Sequence, residues 1–124
     1  MATLSTAARN AAANAVVDLC DVSGPGDLVF LTSGDVAVAT LTLSNPAFGN
    51  ATNGVATANA VTTDPSAAGG TIAKAELRDG LGAFVVELTV TATGGGGDAE
   101  LPSLSITPGQ AVSTSSLTYT QSAG

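Results

Sequence analysis

The feature that most constrains this chain is a change of hydrophobic period at Ser23-Gly24-Pro25-Gly26. Before it, Ala7 to Cys20 holds neither glycine nor proline, and Ser5 or Thr6 stands where a helix N-cap belongs. Leu4, Ala8, Ala11, Ala12, Ala15, Val16 and Leu19 recur at i, i+3, i+4 spacing, with Asn10, Asn14, Asp18 and Asp21 on the opposite side. This predicts an amphipathic helix with a face made mainly of alanine. Such a face approaches a flat surface closely but buries little area, so the helix is marginal alone and must dock on its own domain or on a neighbour.

After Gly26 every apolar run is short and bounded by Gly, Pro, Asn, Asp or Ser, which is strand-and-turn patterning. Strands are expected at Asp27 to Thr32, at Val36 to Leu43 with Ala39, Leu41 and Leu43 inward, and within Gly54 to Thr63. Ala47 to Asn53 reads as a loop pinned by Phe48. Thr71 to Arg78 alternates Ala73, Ala75 and Leu77 against Lys74, Glu76 and Arg78, the pattern of a half-buried strand. Asp79-Gly80-Leu81-Gly82 reads as a hairpin turn, and Ala83 to Thr91 pairs back, with Phe84, Val86, Leu88 and Val90 on one side. Gly94 to Gly97 is a glycine loop, flexible unless docked. Leu101 to Thr107 follows with Leu104 and Ile106 inward; Pro108-Gly109 signals a type II turn; and Ala111 to Gln121 closes the domain. The expected architecture is a mainly β fold: a jelly-roll-like antiparallel β-sandwich of about seven short strands (residues 23–124) behind a short N-terminal helix or arm (residues 1–22).

Composition narrows function by exclusion. Only 10% of residues are charged and the net charge is −7, with Arg9, Lys74 and Arg78 the only bases. Nucleic acid requires clustered Lys and Arg, and an anionic membrane surface asks the same, so neither is an expected partner. No apolar run is long enough to span a bilayer as a helix, and no basic segment followed by a continuous apolar stretch opens the chain, so no signal peptide is expected. A surface this poor in ions is covered by Ser and Thr hydroxyls, small apolar groups and glycine backbone, which dock with little ion desolvation.

Catalytic chemistry has few residues to work with. There is no histidine and no tryptophan, one tyrosine, and one cysteine, Cys20, which sits among Val16, Val17, Leu19 and Val22 and reads as a small buried hydrophobe. A single cysteine makes no intrachain disulfide. Asp18 and Asp21, at i, i+3, read as a solvated helical face rather than a cation site, and Asp98 and Glu100 lack the ligand density that calcium needs. Gly94 to Gly97 is not followed by the Lys-Ser/Thr of a phosphate loop. Glu87 is placed to pair with Lys74 or Arg78 across strands. No catalytic, cofactor-binding or metal residue is assigned, no cofactor is expected, and the chain is expected not to be an enzyme. With three phenylalanines and one tyrosine, an aromatic platform for sugars is disfavoured.

Several strings are distinctive. Ala39-Thr40-Leu41-Thr42-Leu43-Ser44-Asn45-Pro46-Ala47-Phe48-Gly49 is followed by Gly54-Val55-Ala56-Thr57-Ala58-Asn59-Ala60-Val61 and by Asp64-Pro65-Ser66-Ala67. Asp79-Gly80-Leu81-Gly82 and the ending Ile106-Thr107-Pro108-Gly109-Gln110-Ala111-Val112-Ser113-Thr114-Ser115-Ser116-Leu117-Thr118 complete the set, behind an alanine-rich opening with Ala8-Arg9-Asn10-Ala11. Over nearly its whole length the chain resembles a family of short tailed-bacteriophage virion proteins. It departs from many members in lacking a Tyr-Thr-Gly-x-x-Pro element within Val22 to Asp35 and in the richness of its glycine loop. The resemblance implies a capsid decoration (cement) protein on the outer surface of the virion, bound to the major capsid protein and to itself as a homotrimer. The alternatives are a tail, neck or fibre component, or a receptor- or glycan-binding module with a concave, aromatic-lined patch. Under the decoration reading, the helix or an extended terminal segment is the expected arm onto a neighbour, and the helix and the loops around Phe48 and Gly94 are the expected contact carriers.

Overall fold

The computed structural model describes residues 2–123. Helix α1 spans Thr6–Asp18, and Ser5 caps it by accepting the Ala8 N–H on its hydroxyl at 3.1 Å. A 3₁₀ turn, Leu19–Asp21, continues it, and Ser23 and Gly24 at positive φ then break the helical path. The strands are β1 Asp27–Leu31, β2 Ala37–Thr42, β3 Val55–Thr57, β4 Gly70–Thr71, β5 Lys74–Arg78, β6 Phe84–Leu88, β7 Val90–Ala92, β8 Ala99–Leu101, β9 Ser105–Ile106 and β10 Ser116–Thr120.

Two four-stranded sheets, ordered β2-β1-β5-β6 and β3-β10-β8-β7, and the small pair β4-β9 make the fold mainly β. One apolar core joins them: Leu28, Phe30, Leu41 and Leu77 from the first sheet meet Ala56, Ala99, Leu101 and Leu117 from the second, and Val17 and Cys20 of the helical segment enter the same cluster. Each large side chain buried there contributes roughly 1.5–3 kcal/mol. The helix is thus docked on its own domain, against β3, β10 and β6. Strand β1 is buried from Leu28 to Leu31 without alternation, so both of its faces are covered.

The structure corrects the sequence reading in several places. Strands number ten rather than about seven among the described residues. Thr71 to Arg78 is not one strand: Ile72, the larger apolar group, takes a buried position and Ala73 turns outward, so the alternation slips between β4 and β5. Opposite the β5 pair Leu77/Arg78, β6 carries a bulge at Val85 that sets Phe84 against Arg78 on the open side instead of with Val86 and Leu88. Ala83 to Thr91 also divides at Thr89, where the chain leaves the first sheet for the second. Finally, β7 and β8 pair in parallel, with Val90 opposite Ala99, although only residues 93–98 connect them.

The helix presents a different face from the one expected. Ala13, Val17 and Cys20 are buried, whereas Ala11, Ala15 and Leu19 of the expected apolar stripe are exposed. Alanine lies nearly all round this helix and discriminates poorly between orientations. The side chains with distinctive hydrogen-bonding capacity decide it, and Asn10, Asn14 and Asp21 turn inward.

Candidate interaction surfaces

The inward polar stripe has a single task. Asn10 Oδ1 accepts the Gly54 N–H at 2.8 Å, Asn14 Oδ1 accepts the Ala51 N–H at 2.8 Å, and Asp21 Oδ1 accepts the Ala47 N–H at 2.9 Å. The 47–54 loop therefore runs antiparallel to the helical segment, its amides held by acceptors four and seven positions apart along one face. Arg9 closes the upper end by donating from Nε to the Gln121 carbonyl at 2.9 Å. Phe48, in the same loop, is buried as expected.

Other carboxylates do similar work on loops. Asp79 Oδ1 takes the amides of Leu81 and Ala83 at 2.9 and 3.0 Å and fixes the β5–β6 hairpin. Asp64 takes the amides of Thr40 and Ser66 at 2.9 and 3.0 Å. Glu100 holds the glycine loop through the amides of Gly94 and Gly96 at 3.1 and 2.8 Å, while Asp98 accepts from the Thr89 amide and hydroxyl at 3.1 and 3.0 Å. The loop is docked, not loose. Asp18 and Asp21 do not converge: Asp21 serves Ala47, and Asp18 is exposed. Among the described residues, no three His, Cys, Asp or Glu side chains gather where a metal ion would sit.

The three bases are engaged within the chain. Lys74 pairs with Asp35 and, at 3.6 Å, with Glu87; Arg78 pairs with Glu76 at 2.5 Å. The hydrogen bond that Lys74 donates to Asp35, and then the negative charges of Asp35 and Glu87, hold its ammonium above the ordinary pKa. Cys20 is fully buried, and burial pushes its thiol up to about 12, helped by the negative charges of Asp21, Asp79 and Asp18.

Three of the segments that carry the resemblance, 39–49, 54–61 and 106–118, meet at one place. Leu43 bridges Val61 and Phe48 bridges Ala58. Ala58 donates to the Leu117 carbonyl at 3.0 Å, Asn59 donates from its backbone to Ala47 at 2.9 Å and from Nδ2 to Pro46 at 2.9 Å, and the Ser44 hydroxyl donates to Ala60. Their apolar residues Leu41, Leu43, Ala47, Phe48, Ala56 and Leu117 are core, so the signature encodes packing before anything else. On the outside, 57–61 and 114–117 splay apart beyond the β3–β10 pairing and leave an open groove of about 410 Å³, lined by hydroxyls, Asn59 and small apolar groups and by no aromatic ring.

A second surface was not foreseen from the sequence. Among the described residues, five large hydrophobics stay exposed: Leu19 (51%), Val22 (45%), Val36 (62%), Leu81 (78%) and Phe84 (62%). Four of them lie in two segments that touch, the 3₁₀ turn with its exit and the β5–β6 hairpin. Gly80 donates to the Val22 carbonyl at 2.9 Å, and a Cβ on Gly80 would stand 2.5 Å from the Ser23 carbonyl oxygen. The sequence signal was present in Leu81, an apolar residue inside a tight turn. Phe84 was hidden by the bulge.

No helix among the described residues is long and apolar enough to cross a membrane. Comparison of the chain with family models, with curated proteins and with solved structures finds no match.

Proposed function

We propose that this chain is a non-enzymatic capsid decoration protein of a tailed bacteriophage, binding the outer surface of the major capsid protein lattice as a homotrimer and stabilising the head. The observation that carries the reading is the convergence of the resemblance-bearing segments 39–49, 54–61 and 106–118 into one packed unit. That three of the strings share one packed unit supports reading them together.

The use of charge supports the same reading. Carboxylates that an enzyme would direct into a cleft are directed at loop amides, where they stiffen the edges of the sandwich. A body in which only 10% of residues are charged suits repeated docking on a lattice, where many modest contacts act together. The open groove lacks the aromatic lining that a glycan module would use.

The test is a quantitative gel of purified particles, giving copies of this chain per major capsid protein. A ratio near one to one supports lattice-wide decoration. A few copies per hundred moves the protein to the tail or neck, and absence from particles overturns the virion reading.

A further inference from the structure

The exposed apolar end needs an occupant. Leu19 and Val22 lie on the 3₁₀ turn and its exit, Leu81 and Phe84 on the β5–β6 hairpin; the two segments meet at the Gly80–Val22 hydrogen bond, and β6 is the edge strand of its sheet. An edge strand with an exposed phenylalanine beside an exposed leucine is a surface that proteins ordinarily cover.

Charge chooses between occupants. Asp18 adjoins Leu19 at the exposed end of the helix, Asp21 ends the 3₁₀ turn, and Asp79 sits in the hairpin, where it accepts the Leu81 amide. Asp18 is exposed and makes no side-chain hydrogen bond or ion pair among the described residues. A second copy of the chain is a poor match: its net charge is −7, and Arg9, Lys74 and Arg78 are already engaged with Gln121, with Asp35 and Glu87, and with Glu76. Two copies meeting here would set acids against acids. A partner with an apolar centre and a rim of lysine or arginine complements both features.

We propose that this end, centred on Leu81 and Phe84, is the face that docks on the shell, and that the shell surface beneath it presents an apolar patch rimmed by basic side chains. The inference rests on the decoration reading. It assigns contacts between copies of this chain to other faces of the molecule.

The experiment uses shells assembled without this protein and the full-length chain added back, with bound copies measured by sedimentation across a salt series. Wild type is expected to bind, and more weakly as salt rises. Leu81→Ser and Phe84→Ser are expected to bind at least about tenfold more weakly, the effect of losing an anchor side chain, with circular dichroism and unfolding midpoints like those of wild type. Val36→Ser, equally exposed but outside this end, is expected to bind as wild type does. Asp18→Lys alters only an exposed helical position and reads the basic rim independently: it is expected to weaken binding at low salt. Wild-type binding by both serine variants overturns the docking face, and undiminished binding by Asp18→Lys overturns the basic rim. Failure of wild type itself to bind the bare shells overturns the decoration reading, a result distinct from either.

Discussion

Asn14 on the helix accepts the backbone N–H of Ala51, 37 residues away, at 2.8 Å. The bond makes the helix a splint for the loop that carries Phe48. Asn14→Leu supplies the apolar group that an alanine stripe would welcome but leaves the Ala51 amide without its acceptor. It is expected to lower stability by roughly 1–3 kcal/mol, read as a shift in denaturant midpoint, and to speed hydrogen exchange at Ala51. Asn14→Asp keeps an acceptor oxygen and is expected to stay near wild type. Equal stability of Asn14→Leu and wild type would place Asn14 on the solvent side after all.

Gly54 couples backbone conformation to the same helix. Its φ is +78°, and a Cβ there would stand 2.6 Å from the Arg9 guanidinium. Gly54→Ala therefore meets two penalties, and a double-mutant cycle separates them. Alone it is expected to cost about 2 kcal/mol or more, since an unfavourable positive φ alone costs of order 1 kcal/mol. In an Arg9→Ala background the steric part is relieved and the cost falls toward the backbone value. Strict additivity would show that the arginine moves aside freely.

The legible parts of the fold were those fixed by neighbours in sequence. Ser5 capped the helix as expected, Ala39, Leu41 and Leu43 alternated inward, Ala75 and Leu77 faced the core, and Pro108-Gly109 made its turn with Gly109 at φ +86°. The illegible parts depended on contacts distant in sequence. Nothing near Asn10 or Asn14 reveals that loop amides some forty residues on require acceptors. The bulge that exposes Phe84 is set by how β6 meets β5, and the parallel β7–β8 pairing runs against the long crossover that parallel strands usually need. The exposed apolar end is illegible for the same reason: its two halves lie far apart in sequence and meet through the Gly80–Val22 hydrogen bond and the close approach of Gly80 to Ser23.

The glycine loop supplies a local prediction. Glu100 accepts the amides of Gly94 and Gly96, so the carboxylate substitutes for the side-chain packing that glycine cannot provide. Glu100→Ala is expected to accelerate hydrogen exchange across residues 94–97 while lowering global stability by only about 1 kcal/mol, because the loop is solvent-facing. Glu100→Gln, retaining one acceptor oxygen, should lie between the two. Unchanged exchange in Glu100→Ala would mean that the Gly97 amide bond to Thr91 Oγ1 at 3.0 Å holds the loop unaided.

Cys20 gives the fold a dependence on alkaline pH. Burial, reinforced by Asp21, Asp79 and Asp18, pushes its pKa from the ordinary 9.0 to about 12. The folded-state value is the higher one, so the folded chain retains the thiol proton where the unfolded chain releases it. The contribution to stability is complete below pH 9 and is lost as pH rises from 9 toward 12, with a slope of at most about 1.4 kcal/mol per pH unit. Cys20→Ala removes the titrating group, so denaturant midpoints for wild type and variant measured from pH 7 to pH 11 should run parallel to about pH 9 and then diverge, wild type falling faster. Native Cys20 should also resist thiol reagents at pH 8 and react once the chain is unfolded. Parallel midpoints across the whole range would show that the thiol reaches solvent in the folded protein and that the core over the 3₁₀ turn opens more readily than its packing implies.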